Sequence, residues 1–344
     1  MNSRLRDRSI LKILPIVLSL SLSNYACAHT QVRLKPYLGW ENAVEITNEM
    51  ARVVVIPQIG RIMHYGYVDG ENLIYTNPEL HGQSLEVGEV YLKEGEPAHA
   101  MFGGDRVIPN AEDMVEFVRG HRALPDHYID GSPYSFIIHK DGVTITSPVS
   151  ELQGIQLSRQ IRLAPDSTRL TIDQTLMKVK PAASEAIEKI PLTIWNLTPI
   201  LPPQQTYQPL PKNSVFESRI FVPSWSTKRV IGNYKIYDDL VRLTPQDKNG
   251  QKIGTDSRGW IAGWTGDIVM VESFDYVNGE RYPEGGTSTA AYSNPKFAEL
   301  ECMSPERTLD VGEAIELAIH WELHKIDDEA EVERFLKALP LTEE

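Results

Sequence analysis

The chain has 344 residues, 41% hydrophobic and 24% charged, so it can bury a sizeable core and is not a disordered chain. Its formal charge of −13 excludes a general affinity for nucleic acid or anionic membrane surfaces. With 23 glycines and 23 prolines, it favours many turns between short strands over long helices.

Residues 1–28 read as a signal peptide. Arg4, Arg6, Arg8 and Lys12 form a basic start, Ile13 to Leu22 a short apolar run, and Ala26-Cys27-Ala28 a small-residue cleavage site. The apolar run is too short to span a bilayer comfortably, and no later segment could cross one. A lipid-anchored Cys27 is the alternative. This segment has four basic groups against Asp7, so the mature chain carries −16 and is expected in the periplasm or secreted. Cys302 is then the single cysteine, so no intramolecular disulfide is available.

Val53 to Ile56 predicts a buried strand ended by Pro57. In Gly60-Arg61-Ile62-Met63-His64-Tyr65-Gly66, simple alternation puts Arg61, Met63 and Tyr65 on one face and His64 on the other. Gly103-Gly104-Asp105-Arg106 is either a tight structural turn or a place where backbone approaches a ligand, with a carboxylate and a guanidinium to bond sugar hydroxyls. Arg61 and Asp105, both next to glycines, are expected to shape a ligand site rather than hold the fold. Leu157 to Leu163 and Leu170 to Leu176 alternate around a turn-like Ala164-Pro165-Asp166-Ser167 and predict a hairpin.

Ile194-Trp195-Asn196-Leu197-Thr198 offers Trp195 either as a core residue or as a platform for a sugar ring. Proline-rich loops at 201–203 and 209–211 read as connections within one domain, with a boundary near 205 as the other option. Lys252 opens a polar loop-strand region. In Phe297 to Pro305, Glu299 and Glu301 stand two apart on a strand and share a face, where each carboxylate raises the other's pKa if both are buried. Ile315 to Leu323 alternates as a half-buried strand. The last element is a short helix capped by Asp327 or Asp328, with Val332, Phe335, Leu336 and Leu339 at helical spacing and Pro340 as its stop. The domains are expected as 1–28 signal peptide, 29–325 β-sandwich, and 326–344 helix and tail. No histidine or cysteine spacing suggests a metal, no nucleophile elbow is present, and no cofactor is expected.

Taken in order, several segments resemble the galactose-mutarotase-like β-supersandwich proteins, nearest to an uncharacterised bacterial branch labelled DUF4380. They are Glu41-Asn42-Ala43, Ile59-Gly60-Arg61-Ile62, Gly70-Glu71-Asn72-Leu73, Gly103-Gly104-Asp105-Arg106 with Pro109, Trp195-Asn196-Leu197-Thr198, Lys252-Ile253-Gly254-Thr255, and Glu299-Leu300-Glu301 through Pro305 and Gly312-Glu313. The resemblance implies an all-β supersandwich with a sugar cleft, lined by Arg61, Gly103, Gly104, Asp105, Arg106, Trp195, Asn196 and Glu301. It also implies aldose 1-epimerase chemistry, in which a Glu takes the anomeric hydroxyl proton and a His protonates the ring oxygen. Glu299 resembles that Glu. Where the His would stand, this chain has Trp195 and Asn196, and Ile108 replaces a Trp common in similar proteins. Lys252 and His64 are the candidate acids. A non-catalytic carbohydrate-binding protein is the alternative, and a polysaccharide lyase or a scaffold with a vestigial cleft are further readings. The partner expected is a carbohydrate, with oligomeric state open.

Overall fold

The computed structural model describes residues 29–112, 114, 125–237, 239–246 and 248–341. The signal-peptide expectation lies outside the described residues, as do the last three residues of the tail.

Alternation builds the large sheet. Ile155–Leu163 and Leu170–Lys178 pair antiparallel as the expected hairpin, with every second side chain buried. The long strand Ala314–Lys325 pairs with the second of these, and ten antiparallel strands assemble around them. That sheet contains strands from both sides of residue 205, from Ser135–Ile138 to Ala314–Lys325. A five-stranded sheet lies against it, in the order Gln251–Thr255, Thr289–Ser293, Ala298–Met303, Trp195–Ile200 and Arg106–Ile108. Ile253, Ala291, Leu300, Cys302 and Val107 of the small sheet share one core with Ile161, Ile172, Ile319 and Trp321 of the large sheet. The result is an all-β sandwich.

A four-stranded N-terminal sheet ends in Arg61–Tyr67. Val54 faces His64 but Val55 faces Ile62, so Met63 is an extra residue in the ladder. Such a bulge inverts the phase of alternation. Arg61 and Tyr65 therefore do not share a face, contrary to the simple pattern. The Tyr65 hydroxyl donates to the carbonyls of Thr168 (2.7 Å) and Trp321 (3.1 Å) in the sandwich, whereas Arg61 turns to the Gly103 loop.

The C-terminal helix Glu329–Lys337 begins at Asp328, whose carboxylate accepts from the Glu331 amide at 2.9 Å. Val332 and Leu336 bury against Trp260, Trp264, Val269 and Val271. Each such aliphatic side chain contributes about 1.5–3 kcal/mol by leaving water.

Candidate active site

Every strand of the small sheet sends side chains to the face turned away from the large sheet. Successive residues on a strand point to opposite faces, so one set of parities converges there. Lys252, Tyr292, Glu299, Glu301, Trp195, Leu197, Arg106 and Ile108 line a cavity of ≈ 180 Å³, joined by Glu112 and, from loops, by His99 and Trp225. The register sets them side by side: Lys252 opposite Tyr292, Tyr292 opposite Glu299, and Leu197 between Glu301 and Arg106. Ile108, Trp195, Leu197, Ala290 and Met303 pack as the apolar floor.

Charge on this face is arranged in two connected groups. Lys252 Nζ lies 3.0 Å from Glu301 Oε2, 3.1 Å from Glu112 Oε2 and 3.7 Å from Glu284 Oε1, and 4.4 Å from the centroid of the Trp195 ring. Burial opposes the ammonium, but Glu284, Glu301 and Glu112 more than offset it and hold the lysine charged. Trp195 Nε1 donates to the same Glu301 oxygen at 2.9 Å. Burial pushes Glu301 up to about 8, against Lys252 and with help from Glu299 and Glu284.

Arg106 organises the second group. Its guanidinium donates to His99 Nδ1 (3.1 Å) and Asp130 Oδ2 (3.2 Å), and approaches Glu299 Oε1 at 3.6 Å. Glu299 Oε1 is buried without a hydrogen-bond partner among the described residues, and burial raises its carboxyl despite Arg106, Lys252 and Arg61. An arginine only donates, so His99 Nδ1 accepts and a neutral ring carries its proton on Nε2. Burial, then Arg106, lowers His99 to about 3, which keeps it neutral.

The expected site residues divide by position. Arg106, Trp195, Lys252, Glu299 and Glu301 meet in the cavity. Trp195 is both packed, at 6% exposure, and cavity-lining, so the two options for it coincide. Arg61 stands behind: it donates to the carbonyls of Gly103 (2.7 Å) and Ala100 (3.3 Å) and to Asp130 (2.5 Å), so it fixes the His99-bearing loop and shares Asp130 with Arg106. Gly103 and Gly104 do not line the cavity. Both have left-handed φ, and a Cβ on Gly104 would meet Met63 Sδ at 2.2 Å, on Gly103 the Tyr75 carbonyl at 2.3 Å. They are glycines because chain packs on chain there.

Asp105 and Asn196 point into the sandwich. Asp105 pairs with Arg159 and accepts from Asn196 Nδ2 at 2.8 Å. Arg61 and Asp105 are thus buried ion-pair members, and the expectation that they spare the fold is corrected. His64 is elsewhere, with Nδ1 3.2 Å from the Tyr37 hydroxyl, and burial lowers it to about 4. Sequence reasoning missed His99, Glu112, Trp225 and Tyr292. Only His99 gave a signal, four residues before the Gly103-Gly104 pair. Trp225 is set by its neighbour: the Ser226 hydroxyl donates to the Lys252 carbonyl (2.9 Å) and accepts its amide (2.7 Å).

No family model matches the sequence, and no curated protein matches it. The narrower likeness to DUF4380 has no such match behind it. Among solved structures, a candidate mutarotase from Salmonella typhimurium superposes with a TM-score of 0.51 at 11% identity, over 88% of this chain and 95% of that one. A candidate aldose 1-epimerase from Escherichia coli K12 gives a TM-score of 0.49 at 12% identity, over 86% of this chain and 100% of that one. At such low identity the likeness to the Salmonella protein is one of fold, and the fold is the galactose mutarotase-like sandwich.

Proposed function

We propose that the face of the small sheet binds a single sugar ring and interconverts the anomers of an aldose, as a mutarotase does, with Glu299 as general base. The observation that carries this reading is Glu299 Oε1, a buried acceptor with no hydrogen-bond partner among the described residues, beside the Arg106 guanidinium in a cavity of ≈ 180 Å³. An acceptor that the described residues leave unpaired is available to a substrate hydroxyl. A raised carboxyl also suits a base, whose best pKa lies near the working pH. Trp195, Trp225 and Tyr292 supply rings for the apolar face of a sugar, and His99 Nε2 a neutral donor. The Salmonella neighbour, described as a candidate mutarotase, agrees with this reading. The test is the rate of α to β exchange of aldoses by saturation-transfer NMR with purified protein. Exchange above buffer for at least one aldose is expected, and none for any aldose sinks the enzymatic reading.

A non-catalytic sugar-binding protein is the second reading. It is favoured by one observation: the only cavity histidine among the described residues is held neutral at about pKa 3 and cannot donate a proton at physiological pH. Sugar-dependent thermal stabilisation without exchange is its signature.

We also propose export, with residues 1–28 removed after Ala28. Sequencing of the exported protein should begin at or near His29, whereas an acylated Cys27 would establish a lipoprotein instead.

A further inference from the structure

We propose that Glu301 is the proton donor of the site, so that two carboxyls on one strand, Glu301 as acid and Glu299 as base, do the work of an acid–base pair without a histidine. This rests on the mutarotase reading above and names a catalytic residue that reading leaves unassigned.

The geometry singles out one oxygen. Lys252 Nζ and Trp195 Nε1 both lie on Glu301 Oε2, at 3.0 and 2.9 Å. No donor among the described residues falls on Oε1, which is therefore the oxygen left to carry a proton. Glu301 lines the cavity on the same strand face as Glu299.

The charges facing the pair explain why a proton stays. From one edge strand comes Lys252, from the opposite edge strand Arg106, from loops Glu284 and the neutral His99, with Glu112 and Tyr292 alongside. Arg61 and Arg106 share Asp130. Among the described residues Lys252, Arg61 and Arg106 thus meet the buried carboxyls of Asp130, Glu299 and Glu301, while Glu284 and the part-exposed Glu112 also reach Lys252. Glu299 and Glu301, both buried and on one strand face, resist ionising together, so the pair retains a proton. Burial holds Glu301 at about 8, consistent with a carboxyl still protonated at neutral pH. Lys252 keeps Glu112 and Glu284 as counterions when Glu301 is neutral, and its raised affinity for its own proton makes it a poor donor.

The step balances. Glu299 takes the proton of the anomeric hydroxyl, the O1 electron pair forms the C1=O1 bond, and the C1–O5 bond breaks as O5 takes the Glu301 proton. The open aldehyde results, with Glu299 protonated and Glu301 ionised. Rotation about C1–C2 and reversal of the same transfers close the ring as the other anomer and restore both groups. Two protons move in each direction, the two carboxyls together hold one before and after, and no other reactant is needed.

The experiment compares wild type with Glu301→Gln, which keeps an acceptor for Lys252 and Trp195 but has no acidic proton. Exchange of the preferred aldose is measured by NMR and affinity by calorimetry. A loss of roughly 10²-fold or more in exchange, with affinity within about tenfold, is expected. Independently, the infrared carbonyl band of a protonated carboxyl, in the wild type minus Glu301→Gln difference, should titrate with the alkaline limb of kcat. Where the variant does not fold, the wild-type band against the wild-type pH profile decides: no carboxyl that titrates with that limb overturns the proposal. An active wild type with Glu301→Gln within tenfold of it also overturns this assignment and leaves the mutarotase reading standing. An inactive wild type fails the mutarotase reading itself.

Discussion

The two faces of the five-stranded sheet both bury charge, yet in opposite ways. On the inner face Asp105 meets Arg159, Asn196 closes the pair, and the Cys302 thiol donates to Glu272 at 3.7 Å. There Arg159 answers Asp105, and burial pushes Glu272 well up despite that same guanidinium. On the outer face Glu299 and Glu301 stand buried side by side, and Glu299 Oε1 faces the cavity without a hydrogen-bond partner among the described residues. A matched buried pair serves architecture, while a mismatched one stores protonation states that chemistry can use. Neighbours in sequence, Asp105 beside Arg106 and Asn196 beside Trp195, fall on opposite sides of this division.

The sharpest break would come from Glu299→Gln. Removing the base from the outer face should cost roughly 10²–10⁴-fold in anomer exchange. The same variant should melt close to the wild-type temperature, since the amide keeps an acceptor beside Arg106 and Asp130 remains as that guanidinium's counterion. Exchange that persists, followed by NMR, would show that the unpaired oxygen is not the base.

The inner face should respond in stability instead. Asp105→Ala leaves Arg159 buried without its carboxylate and should cost about 3–5 kcal/mol in chemical denaturation. A loss below about 1 kcal/mol would mean the inner pair is not what holds that strand. Either face's residue affecting the other's observable would blur the division.

A pH series separates the faces further. A carboxyl whose folded pKa is raised adds stability that is complete below its unfolded pKa of roughly 4.3 and is lost as pH rises through the folded value. For Glu301 that value is about 8. Wild type should therefore lose melting temperature relative to Glu301→Gln between about pH 4.5 and 8. A constant difference across that window would place the Glu301 proton elsewhere. The smallest effect expected is that of Trp225→Phe, which removes the bond from Trp225 Nε1 to Glu112 Oε1 at 3.0 Å. It should weaken sugar binding by about 0.5–1.5 kcal/mol, read by calorimetry, with exchange retained.

How much of this was legible beforehand follows from where each residue sits. The hairpin 155–178, the strand 314–325 and the capped helix 329–337 obey strong local periodicities, and these appear as the sequence implies. Glu299 and Glu301 share a face for the same reason. Arg61, Asp105 and Asn196 were misplaced because periodicity tells which residues share a face, not which face meets the core. In the case of Tyr65, the extra Met63 also inverts the phase, and nothing local announces it. His99 and Trp225 reach the cavity from loops, where no period exists to read. Their places depend on contacts such as Ser226 with Lys252, made between segments remote in sequence.

The register of the small sheet also governs when the cavity can exist. Residues 106, 197 and 301 stand in adjacent ladder positions, although the chain visits them in its first, middle and last thirds. Loop closure over such separations makes pairing slow and late. During synthesis, no nascent chain that stops short of the strand Ala298–Met303 can present the candidate site. Sugar added during refolding should therefore leave the early phases unchanged and slow only unfolding, which makes ligand occupancy a timer for the final strand's arrival.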